Sequence, residues 1–177
     1  MKDLRRVRTY GNGPSIEVTD VLQSVLVAEL LCPSEAFWLV SPWISDIPVL
    51  DNSDGGMSSL GYDWAHRPLL LSEVLPVILE AETPMTVVLR GGDENRPFRS
   101  RLEDLSAAFP SRLRVVESVD VHEKGLVTDH AVVGGSMNFT FSGKSQNIEH
   151  VLLDTNPERV NQIQFDLGQE YPWTGPS

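Results

Sequence analysis

Apolar residues at Val18, Val21, Leu22, Val25, Leu26 and Leu30 recur at helical spacing and predict a helix over 16–31. Ser15 or Thr19 can cap its start, and Pro33 lies just past its end. A short apolar run over 36–40 then reads as a buried strand, ended by Ser41-Pro42-Trp43. The stretch 49–68 carries Asp51-Asn52-Ser53-Asp54-Gly55-Gly56 and reads as a long loop. Helical periodicity returns over 69–81, with Pro76 inside, and over 97–109. Between and after these lie strand patterns at 85–90 and 113–116. A strand over 118–127, a turn at Thr128-Asp129-His130 and a second strand over 131–134 predict a hairpin. A loop or short helix over 139–145, a strand ending at 153, a helix over 157–168 and an irregular tail complete the chain. The β-α-β order of the middle section points to an α/β fold.

Composition narrows the class. At 177 residues, 41% hydrophobic and 22% charged, the chain suits one globular domain over 1–177, with a basic segment at 1–15 and a tail at 171–177. It has neither an apolar run of membrane-spanning length nor an apolar segment behind its basic start, so a cytoplasmic protein with no membrane contact is expected. The single cysteine, Cys32, reads as a buried small hydrophobe. A net charge of −11 weighs against bulk electrostatic attraction to nucleic acid. Two basic clusters stand against that total: Lys2, Arg5, Arg6 and Arg8, and then Arg90, Arg96, Arg99 and Arg101. Each is either a binding face or a solvated surface.

The densest chemistry lies in His122–Asn138, HEKGLVTDHAVVGGSMN. Residues two apart on a strand share a face, so His122 and Lys124 project together, as do Ser136 and Asn138. A hairpin would bring an imidazole, an ammonium, a hydroxyl and an amide to one place. Such a set suits a phosphoryl group: Lys124 supplies charge, Ser136 and Asn138 donate to oxygens, and His122 attacks phosphorus or protonates a leaving oxygen. Gly135, beside Gly134, lets a ligand approach the backbone. Glu149 can accept from the second nitrogen of His122 and fix its tautomer, or be an ordinary exposed acid. Asp129 falls at the turn, where local hydrogen bonding competes with a chemical role. His130 lacks a zinc spacing relative to His122 and Asp129, so no metal site is expected.

His122-x-Lys124, Asp129 and Gly135-Ser136-x-Asn138, with Glu149 downstream, resemble the HKD signature of the phospholipase D superfamily. The resemblance implies a mixed β-sheet flanked by helices. It implies catalysis by His122, Lys124, Asp129, Ser136, Asn138 and Glu149 through a phosphohistidine, without metal or other cofactor. Members use two such motifs and this chain holds one, as do the short bacterial nucleases of the family. A homodimer with one composite site is therefore expected. The family's loop after the first strand borders the site, which makes Trp43 a stacking candidate besides a core aromatic. Lys144, after the motif, is a candidate phosphate contact or a solvated lysine.

The resemblance implies a phosphodiesterase, foremost a nuclease on DNA rather than RNA, in company with proteins of a defence or DNA-modification system. Two other classes remain: a hydrolase of phospholipids or small phosphodiesters, and a non-catalytic subunit that kept the fold. No amphipathic, lysine-rich stretch favours a lipid surface.

Overall fold

A computed structural model describes residues 3–8, 16–60, 62–145 and 149–173. Its centre is a pair of parallel strands, β2 (Phe37–Val40) and β5 (Met85–Leu89), buried along their whole length. Period-two alternation sends their side chains into two separate cores. Phe37, Leu39, Met85, Val87 and Leu89 face one, and Trp38, Val40 and Val88 the other.

Helices α1 (Ile16–Leu31), α2 (Leu71–Glu80) and α3 (Arg96–Ala108) cover the first face. They contribute Leu22, Leu26, Leu71, Leu75, Phe98 and Leu102 to its core. Helix α5 (Pro157–Glu170) covers the second face with Val160, Ile163 and Leu167, a stripe at helical spacing. Pro157 opens α5, and the Asn156 side chain caps it by accepting from the Arg159 N–H at 3.1 Å.

The sheet extends outward from this pair on both sides. Strand β6 (Leu113–Glu117) pairs parallel with β5, after the crossover through α3. On the other side β7 (Gly125–Val127) pairs antiparallel with β2, and β8 (Val132–Gly135) with β7, forming the expected hairpin. Strand β9 (His150–Asp154) follows β8, and β1 (Leu4–Arg8) closes that edge. The order is β1-β9-β8-β7-β2-β5-β6, a mixed sheet. Pro48–Asp51 (β3) and Pro68–Leu70 (β4) form a separate two-stranded ribbon, and Phe141–Ser145 (α4) is a short helix.

Four sequence readings are corrected. Residues 4–8 form a strand although only Val7 is buried, because β9 supplies backbone partners that composition does not reveal. Residues 11–15 lie outside the described residues. The strand expected over 118–127 shrinks to Gly125–Val127, since β2 stops pairing at Val40, opposite Gly125, and turns away at Ser41-Pro42. The 49–68 loop contains the β3–β4 ribbon and is pinned by the fully buried Asn52. Its amide donates to the Ala65 carbonyl at 3.0 Å and accepts from the Met57 N–H at 2.9 Å. Cys32 is exposed, one residue past the end of α1, whose last residue Leu31 is exposed as well.

Gly135 ends β8 with φ +138°, a region that favours glycine. A Cβ there would collide with the His150 carbonyl oxygen, which accepts from the Ser136 N–H at 3.0 Å. The missing side chain thus lets β9 lie close. Replacing Gly135 with Ala is expected to cost about 1–3 kcal/mol, read as a lowered urea midpoint. An unchanged midpoint would refute this account of Gly135.

Candidate active site

The carboxyl ends of parallel strands are where open α/β sheets place ligands. Here the segments after β2 and β5, before β7, after β8 and before β9 gather at that one end, as the strand pairings require. His122 and Lys124 lie in the irregular segment leading into β7, not on a strand, so they do not share a pleat face. Ser136 and Asn138 lie just after β8, and Glu149 just before β9.

A fully buried amide, Asn95, assembles the end. Its Oδ1 accepts from the Ile44 N–H at 2.8 Å, and its Nδ2 donates to the Pro42 and Arg90 carbonyls, each at 2.7 Å. The segment after β8 joins through the Ile44–Phe139 bridge and the Ser45 N–H on the Phe139 carbonyl at 2.8 Å. Buried Ser41 donates to the Trp43 carbonyl at 2.9 Å, and its Oγ lies 3.3 Å from Asn138 Oδ1.

The imidazole of His122 is exposed and meets Arg90. The guanidinium Nη2 is 3.1 Å from Nδ1 and 3.3 Å from Nε2 of the ring. Lys124 folds back to donate to the His122 carbonyl at 2.9 Å. It also lines a cleft of about 320 Å³ with Gly134, Gly135, Val40 and α5 residues Ile163 and Leu167. Ser136 donates its hydroxyl proton to the Glu149 carboxylate and accepts from the His150 N–H at 3.0 Å. The expected partner of Glu149 was His122; the contact seen is with Ser136. Residues 146–148 lie outside the described residues.

Three candidates stand elsewhere or in another role. Asp129 is at the opposite end of the sheet, beyond β7. It accepts from the Glu35 N–H and from Gln164 Nε2, each at 2.7 Å, while its own N–H donates to Ser34 Oγ at 2.9 Å. Ser34 in turn binds the buried Glu29, so Asp129 belongs to a structural network rather than to the His122 group. Lys144 is buried, its ammonium donating to the Pro48 carbonyl, and burial holds it below the ordinary lysine range. It lines a cleft with Pro48, Leu50 and Pro68. Trp43 is half-buried beneath Arg90, whose guanidinium carbon lies 5.7 Å from the ring centroid.

Arg90, Asn95 and Ser41 carry the site and were missed as site residues. A signal existed for Arg90, which ends a strand before Gly91-Gly92, the position where parallel sheets present ligand contacts. Reading it as one of a basic cluster hid this. The structure divides that cluster: Arg96 pairs with Asp93 at 2.9 Å, Arg99 with Glu117 at 3.0 Å and Arg101 with Asp46 at 3.2 Å. Among the described residues no group of His, Cys, Asp and Glu is arranged to hold a metal ion, and no helix is long and apolar enough to cross a membrane.

Glu123, between His122 and Lys124, is pushed above the usual carboxylate range by desolvation and by Glu170 and Asp166 nearby. A raised folded-state value means stability that is full at low pH and lost as pH climbs through it. Replacing Glu123 with Gln is therefore expected to raise Tm at neutral pH, with the gain vanishing towards pH 4, in thermal scans across pH. A gain that persists undiminished at pH 4 would contradict the sign. Replacing Asp129 with Ala is expected to cost about 1–3 kcal/mol in urea unfolding, from the unmatched donors it leaves. Wild-type stability would remove the structural role assigned to it.

No family model and no curated protein matches the chain at the level of sequence. Solved structures do match in shape. Nuc from Salmonella typhimurium, a phospholipase D family member, is similar over 98% of this chain and 95% of its own, with a TM-score of 0.61 and 13% identity. NucT from Helicobacter pylori matches over 94% of both chains, with a TM-score of 0.54 and 8% identity. The phosphatidylserine synthase of Haemophilus influenzae matches 94% of this chain and 38% of its own, with a TM-score of 0.57 and 14% identity. The fold of this chain is the phospholipase D fold.

Proposed function

We propose that the chain is a metal-independent phosphodiesterase, foremost a nuclease, working through a phosphohistidine at a site shared by two copies. The observation that carries this reading is the coincidence of fold and motif. An exposed His122, with Lys124, Ser136 and Asn138, lies at the end of a phospholipase D-like sheet where the carboxyl ends of its parallel strands gather. The full-length likeness to Nuc and NucT favours a short nuclease over a larger lipid enzyme.

In the reaction, a lone pair on His122 of one copy attacks phosphorus. The new N–P bond forms as the bond to the leaving oxygen breaks, and the imidazolium of His122 in the second copy gives that oxygen its proton. The second imidazole, now neutral, takes a proton from water. The resulting hydroxide attacks phosphorus and expels the first imidazole, restoring both histidines. Lys124 neutralises charge on the non-bridging oxygens, and the Asn138 amide donates to them. Glu149 acts here through Ser136, holding the hydroxyl and the chain entering β9 in place.

The test uses purified protein and its His122→Ala variant with EDTA present, on single- and double-stranded DNA, RNA and a chromogenic phosphodiester. EDTA-resistant cleavage that falls about 10³-fold or more in the variant is the expected outcome. Equal cleavage by both proteins would sink the catalytic assignment. Cleavage of the chromogenic diester alone would move the substrate from nucleic acid to a small phosphodiester. Light scattering is expected to give a dimer; a monomer that is fully active would exclude the shared site.

A further inference from the structure

Arg90 is half-buried at the end of β5, and its backbone is held on both sides. Its N–H donates to the Pro42 carbonyl at 3.2 Å and its carbonyl accepts from buried Asn95 at 2.7 Å. The side chain is held as well: Nε donates to the Val121 carbonyl at 3.2 Å, and the guanidinium lies over Trp43. Its remaining contact is with the His122 ring. The other arginines of this stretch are neutralised by acids, whereas the contacts of Arg90 among the described residues are a carbonyl, an imidazole and an indole, all without negative charge. A guanidinium fixed by neutral groups keeps its charge for an anion, and its planar fork matches phosphate geometry.

A single guanidinium nitrogen at 3.1 and 3.3 Å from the two ring nitrogens lies over the face of the imidazole, not along either in-plane lone pair. Arg90 therefore covers one face of His122, and a phosphate oxygen competes with that face for the guanidinium. The charged oxygen is the stronger acceptor. We propose that Arg90 is the phosphate-binding cation beside His122: a phosphodiester phosphate draws the guanidinium onto its oxygens and off the face of the imidazole. Anion binding and uncovering of the ring become one event. The inference rests on the proposed phosphodiesterase reading for its reaction, but the exchange itself involves only an anion, Arg90 and His122.

The exchange is read first without turnover. Inorganic phosphate is titrated into ¹⁵N-histidine-labelled wild-type protein, Arg90→Gln and Arg90→Lys, with His122→Ala identifying the His122 signals. Wild-type His122 ring nitrogens are expected to shift on titration. In Arg90→Gln they should start near the shifted position, and the phosphate Kd should rise about 10–100-fold, the loss of one charge-assisted contact. Arg90→Lys should recover part of the affinity but not the starting position of the ring signals, since an ammonium cannot span both groups. The same variants on the chromogenic diester should raise KM more than they lower kcat. Unchanged His122 signals and phosphate Kd in both variants would overturn the proposal, as would a Kd loss in Arg90→Gln with wild-type ring signals. If Arg90→Gln does not fold, Arg90→Lys alone decides, through its ring signals. A wild-type protein that cleaves no diester yet shows the coupled phosphate response would leave the exchange standing and remove the phosphodiesterase reading.

Discussion

The arrangement of the sheet end that carries His122 depends on one buried amide. A primary amide removed from water must satisfy its oxygen and its N–H groups within the protein, or cost several kcal/mol. Asn95 does so by binding the backbone at Pro42, Ile44 and Arg90 together. These are the segments that leave the two central strands, so the exits of β2 and β5 are fixed relative to each other. Several side chains at this end are referred to that joint. Phe139 pairs with Ile44, Ser41 faces Asn138, and Arg90 rests on Trp43 while touching His122.

The two-sided burial of the central strands makes this joint possible. With one core under three helices and a second under α5, β2 and β5 have no solvent face, and the chain must turn polar only where they end. The charge pattern follows the same logic. Most of the excess acid is spread over the surface, and the arginines of α3 are tied to carboxylates. Among the described residues the cations near His122 without an acidic partner are Lys124 and Arg90, which makes the field local rather than global. A net charge of −11 is then no obstacle to holding one phosphate, although it weakens attraction at a distance.

Helical and strand periodicity in the sequence located α1, α3, α5 and the central strands closely, because each buries one continuous apolar face. The pattern failed where partners, not side chains, make the element. Strand β1 is charged and exposed yet pairs with β9, and residues 119–124 are strand-like yet enter none of the described strand pairings. At the site, residue types in register pointed to His122, Lys124, Ser136 and Asn138, since that chemistry is written in adjacent positions. Arg90, Asn95 and Ser41 come from segments far away in sequence, and no local spacing announces them. Lys144 could not be placed from sequence, because its burial against Pro48 is set by the β3–β4 ribbon.

Asp129 stands apart from the histidine end of its own motif, on the far side of the hairpin, where it ties Glu35 to Gln164. The six positions therefore divide into two kinds: those gathered at the His122 end, and an aspartate that ties the fold together at the other. Replacing His122 or Lys124 leaves the hydrogen bonds of that aspartate intact. Retention of the aspartate alone is then a mark of shared architecture and carries no vote on activity.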